Sequence, residues 1–171
     1  DDLASSYDPV YKVNPPLRTE SDVHALREAL ADGTIDIVAT DHAPHPLEAK
    51  ECEWQEAAFG MLGLETALSI VQKTMVDSGL MSWQQVAERM SHAPAAIGGY
   101  EHQGQKIAKG SFANLVVMNP TKLWRVDRDL LLSNSTNTPY HGHELPGSVE
   151  HTIFRGKPTV ANGLIEQGRS K

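Results

Sequence analysis

The sequence predicts an α/β fold built on parallel strands, followed by a small β-rich region. A strand–helix–strand order occupies about thirty residues near the start, and parallel strands need such a helical crossover. Beyond residue 104, glycines separate short runs of β-branched residues, a pattern typical of hairpins. We therefore expect one domain over residues 1–103 and a second, smaller one over residues 104–171.

Charge, cysteine usage and hydropathy exclude several classes of protein. The 171 residues carry a net charge of -7, without the basic stripe of nucleic-acid-binding proteins. Cys52 is the only cysteine, so no disulfide forms within the chain and a reducing, cytoplasmic compartment is expected. No apolar run approaches the roughly 20 residues that span a bilayer. We expect neither a nucleic-acid partner nor a membrane.

The first domain begins with two predicted strands joined by a helix. Residues 11–13 are a plausible strand fragment that ends at Asn14. Ser21 and Asp22 supply an N-cap, apolar residues follow at helical spacing, and Gly33 ends the helix. Residues 35–39, with the sequence IDIVA, form the second predicted strand.

The rest of the chain alternates loops with short predicted elements. Residues 41–60 form a long polar loop, which in a compact domain is usually functional. Helices are predicted over three stretches, 62–75, 83–90 and 93–97. Strands are predicted over four runs, 106–108, 113–118, 149–154 and 158–161. Residues 134–146 are expected to be a polar connection, and the tail over residues 168–171 is expected to be mobile.

Polar side chains follow both predicted strands of the first domain. The carboxyl ends of parallel strands form the face where α/β barrels hold their active sites, so these side chains can share one pocket. Asp41 can ligate Zn²⁺ or move a proton. His45 offers a donor and, when protonated, a positive charge, which suits a substrate carboxylate. Asn14 offers a donor and an acceptor, which suits a cyclic amide.

Each of these signals also has a plainer interpretation. A single Asp at a strand end is more often a turn or cap residue, and an Asn before two prolines is often part of a turn. His42 can simply hydrogen-bond the backbone. His141 and His143 form a His-x-His pattern that invites a metal interpretation. Their position in the β-rich region favours a surface or structural role instead.

Taken together, three runs of the chain resemble one family: residues 12–18 (KVNPPLR), 39–45 (ATDHAPH) and 59–66 (FGMLGLET). They are similar to the class I bacterial dihydroorotases of the amidohydrolase superfamily, and further similarity occurs at residues 94–95, 110–117 and 145–156. The resemblance implies reversible hydrolysis of the cyclic amide of dihydroorotate to carbamoyl aspartate, in pyrimidine synthesis. Hydantoinases and allantoinases share the architecture, but they usually lack both the Asn before Pro-Pro and the His four residues after the Asp.

The resemblance also implies a role for each candidate residue. Asp41 would be the metal-ligating catalytic acid/base, and Asn14 and His45 would contact the substrate. Phe59 and Gly60 would add substrate contacts, largely through the backbone.

For the fold, the resemblance implies the C-terminal part of a metal-dependent TIM-like (β/α)8 barrel plus a small β-sandwich domain. The family's other metal ligands precede the Asn-Pro-Pro run, and none of them is in this chain. We therefore expect one or two Zn²⁺ ions with further ligands outside the chain, and an N-terminal portion of the same enzyme as a partner. The start at Asp1, without methionine, also looks like an interior segment.

Two alternatives to an active dihydroorotase remain. One is a cyclic amidase of the hydantoinase or allantoinase kind. The other is a catalytically inactive dihydroorotase-like partner of aspartate transcarbamoylase, against which the joint retention of Asn14, Asp41 and His45 argues. A homodimer and binding of an aspartate transcarbamoylase are further partnerships that the resemblance allows.

Overall fold

The computed structural model describes residues 2–166, so the predicted mobile tail over residues 168–171 lies outside the described residues. Helices come first along the chain: α1 Asp2–Ser5, α2 Glu20–Asp32, α3 Leu47–Lys50, α4 Ala67–Val71, α5 Trp83–Ala87 and α6 Ala93–Ile97. Wider π-type turns extend α4 over Gln72–Val76 and join α5 to α6 over Glu88–His92. The strands follow: β1 Leu115–Arg125, β2 Glu144–Phe154, β3 Lys157–Ala161 and β4 Leu164–Ile165.

Helix α2 begins slightly earlier than its sequence predicts. Its N-cap is Thr19, whose hydroxyl accepts from the backbone N–H of Asp22, while the Asp22 carboxylate accepts from the N–H of Thr19. This reciprocal capping box satisfies two backbone donors that the first helical turn leaves free. The predicted end at Gly33 is confirmed, since this residue closes the helix at a left-handed φ of 95°.

Neither of the two predicted strands near the start forms a ladder. Pro9–Tyr11 is a 3-10 turn, because the Asp8 carboxylate caps the N–H of Val10 and proline suits the first helical position. Residues 35–39 are not paired as a strand within the described part of the chain. A parallel strand needs a neighbour, and residues 2–166 place none beside this segment; Val38 instead donates its N–H to the carbonyl of Arg89.

An apolar cluster between the helices forms the main core. Its fully buried members are Val71, Met75, Met81 and Val86, and residues of α2 and the 35–39 segment pack against them. Helix α4 begins at Ala67 rather than at residue 62, as the periodicity predicted. The residues just before it are bonded to other loops, since Met61 accepts from Ala43 and Leu62 donates to Asn137. A helix could not form there without losing those bonds.

The four strands form one antiparallel sheet in the order β1-β2-β3-β4. The Arg155–Gly156 and Asn162–Gly163 turns both have positive φ at each residue, which matches the right-handed twist of tight hairpins. The predicted strand at residues 106–108 is absent, and Ile107 there is 87% exposed. Residues 144–146, predicted as a connection, belong to β2. A sandwich needs a second sheet, and residues 2–166 form none.

Polar contacts attach the sheet to helix α4. The Ser69 hydroxyl donates to the carbonyl of Gly147 at 3.0 Å and accepts from the Trp124 indole at 3.0 Å. The Gln72 amide donates to the carbonyl of Pro120 at 2.8 Å. A side chain at Gly147 would collide with Gln72, so glycine there permits this close packing. The β-rich region therefore packs directly on the helices.

Within residues 2–166, no helix combines the length and apolar character needed to cross a membrane.

Candidate active site

The run from Asp41 to His45 is held against residues 61–64 by backbone contacts. His42 and Met61 form a parallel β-bridge, and the N–H of Ala43 donates to the carbonyl of Met61 at 3.0 Å. The Nδ1 atom of His42 accepts from the N–H groups of Gly63 at 3.1 Å and Leu64 at 3.3 Å. The predicted backbone role of His42 is confirmed, and the neutral ring carries its proton on Nε2.

Replacing His42 with alanine is expected to destabilise the protein by about 1–2 kcal/mol, because the partly buried N–H of Gly63 and the exposed N–H of Leu64 lose their acceptor. His42→Asn places an amide oxygen near the position of Nδ1, so a smaller loss is expected. Denaturant unfolding of both variants measures the difference. Equal losses for the alanine and asparagine variants would show that the Nδ1 bonds do not stabilise this run.

His45 is joined to the loop that contains Phe59. Its Nε2 lies 2.9 Å from the carbonyl oxygen of Phe59. Because a carbonyl only accepts, Nε2 must donate, which leaves Nδ1 as the ring nitrogen available to another group. Nδ1 can donate to an anion only when the ring is doubly protonated. The contact therefore orients the ring of His45. Its Nε2 bonds Phe59, and its Nδ1 is left for another group.

Gly60 allows the two loops to approach closely. Its φ is 131°, and a Cβ at this position would lie 2.5 Å from the Cβ of Ala43 and 3.1 Å from Nε2 of His45. Its N–H donates to the carbonyl of Lys12 at 2.9 Å. Its carbonyl accepts from Lys50 at 3.0 Å. The backbone groups of Gly60 are therefore engaged within the protein.

Two buried lysines hold the 51–60 loop in place. Lys50, 5% exposed, donates to the carbonyls of Lys12 at 3.3 Å, Ala58 at 2.9 Å and Gly60 at 3.0 Å. Burial, with a further contribution from the charge of Lys12, lowers the pKa of Lys50 below its usual value. Lys12, 8% exposed, donates to two carbonyls in the middle of the loop, those of Trp54 and Gln55.

The ring of Phe59 faces solvent, whereas its backbone carbonyl contacts His45. The ring is 57% exposed, and the ammonium group of Lys12 lies 4.7 Å from its centroid. Lys12 therefore contacts Phe59 as well as the carbonyls of Trp54 and Gln55. An exposed aromatic ring beside a polar site can contact a bound ligand, which is compatible with the predicted substrate contact.

Asn137 is a part of this site that the sequence did not reveal. It is 6% exposed, and its side chain contacts backbone atoms of Ala43, His45 and Gly60. It belongs to the region predicted as a polar connection, and the Asn-Thr-Pro run there has no periodicity that indicates burial. Only the fold brings this segment to the loops, across more than 90 positions of the chain.

The structure joins three of the predicted site residues, His45, Phe59 and Gly60, through the contacts above. Asn14 and Asp41 are both exposed, and neither side chain hydrogen-bonds within residues 2–166. Asp41 lies at a positive φ of 45°, directly before the anchored His42. Both polar side chains therefore remain available to a substrate or metal.

The described residues do not form a complete metal site. No group of three or more His, Cys, Asp or Glu side chains within residues 2–166 lies close enough together to hold a metal ion. His141 instead accepts from the N–H of Arg128, and the ring of His143 packs against Tyr140. A metal bound at Asp41 would need its other ligands from outside residues 2–166.

A cleft of about 360 Å³ opens beside the joined loops. Its lining includes His45 and Asn137 of the joined loops together with Arg128, His141 and His143. The polar lining suits a small polar ligand more than an apolar one. The cleft places free space next to His45, whose Nδ1 atom is unused by Phe59.

Comparison with known proteins identifies the family. The amidohydrolase family matches residues 12–159. The dihydroorotase of Streptomyces coelicolor is 61% identical over 165 residues, which are 96% of this chain and 39% of that protein. The dihydroorotase of Mycobacterium tuberculosis is 51% identical over 161 residues, 94% of this chain and 37% of that protein. The chain thus spans less than half the length of these curated relatives.

Two solved structures share the fold of this chain. The L-hydantoinase (dihydropyrimidinase) of Arthrobacter aurescens superposes with a TM-score of 0.88 at 32% identity, over 96% of this chain and 37% of that one. A D-hydantoinase (dihydropyrimidinase) of Thermus sp. superposes with a TM-score of 0.82 at 27% identity, over 92% and 35%. Since the family match covers most of its length, this chain belongs to the amidohydrolase family.

Proposed function

We propose that this chain is part of a dihydroorotase. The enzyme would hydrolyse the cyclic amide of (S)-dihydroorotate reversibly to N-carbamoyl-L-aspartate, in cytoplasmic de novo pyrimidine (UMP) biosynthesis. The observation that carries this proposal is the 61% identity to a dihydroorotase over 96% of the chain, against 32% identity to the hydantoinase with a similar structure. The contacts that bring His45, Phe59 and Gly60 together in the candidate site also support the proposal.

The proposed architecture assigns residues 1–103 to the C-terminal part of a metal-dependent TIM-like (β/α)8 barrel. Residues 104–171 would be a segment of a small β-sandwich domain. An N-terminal portion of the same enzyme would then supply the barrel strands beside residues 35–39. This explains why that apolar segment has no ladder partner within residues 2–166.

Asp41 is the proposed catalytic acid/base and metal ligand. Its carboxylate accepts a proton as water forms the new C–O bond, and it returns that proton to the ring nitrogen when the amide C–N bond breaks. Its exposure and lack of a hydrogen-bond partner within residues 2–166 leave it free for this work. Zn²⁺, as one or two ions with further ligands from the N-terminal portion, is the proposed cofactor.

The remaining residues are proposed to bind the substrate. His45 offers Nδ1 to the substrate carboxylate, because Nε2 already donates to Phe59. Asn14 faces the amide edge with its donor and acceptor. Phe59 contacts the ring of the substrate, and Gly60 contributes by allowing the loops to approach closely, since its backbone groups are bonded internally.

Replacing His45 with alanine in the complete enzyme is expected to raise KM for dihydroorotate about tenfold or more, because a charge-assisted bond to the carboxylate is lost. We expect a smaller change in kcat. Steady-state kinetics in both directions measure the split, and His24→Ala, on the exposed face of α2, is the control. A KM equal to that of the unmodified enzyme in both directions would contradict the role of His45.

A hydantoinase-like or allantoinase-like cyclic amidase is the second candidate, favoured by the TM-score of 0.88 to an L-hydantoinase. Turnover of dihydroorotate, hydantoin and allantoin by the complete enzyme separates the candidates. Preference for dihydroorotate is the expected result, and preference for either of the other rings would overturn the proposal. Absence of turnover together with absence of bound zinc would favour an inactive partner of aspartate transcarbamoylase. Gel filtration with and without that enzyme tests this partner and a homodimer.

A further inference from the structure

We propose that Asn137 is a positioning residue for substrate binding, which holds the His45 and Gly60 loops at their working distance. The inference rests on the proposed function, because it takes His45 as the substrate contact. It assigns a role in the active site to the β-rich region of the chain. The sequence reveals no such role, since Asn137 lies more than 90 positions from His45 and Ala43.

One side chain makes contacts to both loops. The Nδ2 group of Asn137 donates to the carbonyl of Ala43 at 2.9 Å and lies 3.4 Å from that of Gly60. Its Oδ1 accepts from the N–H of His45 at 3.3 Å. The backbone carbonyl of Asn137 also accepts from Leu62 at 3.1 Å. Removing the side chain would therefore break its contacts to both loops but leave the Leu62 bond.

The amide group is the chemistry that this position needs. An amide presents two N–H donors and one carbonyl acceptor on one rigid plane, so it can serve carbonyls on one side and an N–H on the other. A carboxylate of the same size keeps the acceptor but faces the two carbonyls with negative charge. Alanine has neither group and leaves buried polar atoms unpaired, which is costly in this 6% exposed position.

The position of Asp41 is anchored separately from that of His45. His42, directly after Asp41, is bonded to Gly63 and Leu64, whereas Asn137 acts on Ala43, His45 and Gly60. Loss of the Asn137 side chain should therefore displace His45, the proposed substrate contact, more than the carboxylate of Asp41. The expected signature is a change in KM with little change in kcat.

Kinetics of Asn137→Ala in the complete enzyme test this inference. We expect KM for dihydroorotate to rise about tenfold and kcat to fall less than about threefold. Asn134→Ala is the matched control, because Asn134 is exposed in the same connection. An Asn137→Ala enzyme with the KM of the control would overturn the proposal. An unmodified enzyme without dihydroorotate turnover would instead contradict the proposed function.

A double-mutant cycle distinguishes positioning from a general structural role. If Asn137 acts through His45, Asn137→Ala should change KM little in a His45→Ala background. Independent, multiplicative effects would overturn the proposal. If thermal melting shows that Asn137→Ala does not fold, Asn137→Thr takes its place in the cycle with the same expected coupling, because it keeps most of the volume and a neutral hydroxyl that can bond one loop. Independent effects of Asn137→Thr and His45→Ala would equally overturn it.

Discussion

Replacing Asp41 with asparagine should reduce turnover of dihydroorotate by about a thousandfold or more, since asparagine cannot accept the proton that general base catalysis requires. Asparagine has nearly the same size, and the Asp41 side chain makes no hydrogen bond within residues 2–166. The fold should therefore be retained. Initial rates in both directions, with circular dichroism and thermal melting of the complete enzyme, measure the two effects separately.

The matched control for this prediction is Asp36→Asn. Asp36 is exposed in the segment that leads to Asp41, so the substitution removes the same charge from the same part of the chain. We expect its turnover to be unchanged within experimental error. A normal rate for Asp41→Asn would remove Asp41 as the acid/base, and a comparable loss in Asp36→Asn would attribute the effect to charge alone.

Replacing Lys50 with methionine should lower the free energy of unfolding by about 2–3 kcal/mol, because three buried or partly buried carbonyls lose a charged donor. Those carbonyls belong to Lys12, Ala58 and Gly60. The carbonyl of Lys12 keeps the N–H of Gly60, and that of Gly60 stays 3.4 Å from the Asn137 amide, so the carbonyl of Ala58 is affected most. Methionine fills most of the volume of the lysine stem, which limits the contribution of a cavity. Denaturant unfolding of the complete enzyme measures the change.

Lys73→Met is the control for the buried lysine. Lys73 is exposed on the turn that extends α4, and surface substitutions of this kind usually change stability by less than about 0.5 kcal/mol. If Lys50→Met were as stable as Lys73→Met, the ammonium group would not hold the loop. The carbonyls that Lys50 contacts would then be hydrogen-bonded by water or by other donors in the variant.

Local signals in the sequence determined several features of this protein. Thr19, Asp22 and Gly33 bound helix α2 through bonds to residues close by, and Ser82 caps α5 in the same way. The strands predicted at 113–118, 149–154 and 158–161 overlap β1, β2 and β3, although β1 continues to Arg125 and β2 begins at Glu144. His42 was correctly expected to bond the backbone. The capping contacts are short in sequence, and the strands are marked by β-rich runs between glycines. His42 differs, since its partners lie 21 and 22 positions away.

The segment over residues 35–39 shows the limit of such signals. Its apolar sequence predicts a strand, but a strand exists only with a neighbour that supplies the ladder bonds. Residues 2–166 place none beside it, so the same sequence is unpaired here. Helix α4 is a second case, because Leu62 follows the helical periodicity but donates its N–H to the carbonyl of Asn137 instead.

The residue types of the candidate site were determined by the sequence alone: Asn14, Asp41, His45, Phe59 and Gly60 stand in motifs that carry their own chemistry. Only the tertiary structure decided which of them meet and what holds them. Lys12, Lys50 and Asn137 have no local pattern that marks them as buried, because their partners include backbone carbonyls that lie 8 to 94 positions away in the chain. Every residue offers such a carbonyl, so a sequence cannot specify which one a side chain will find.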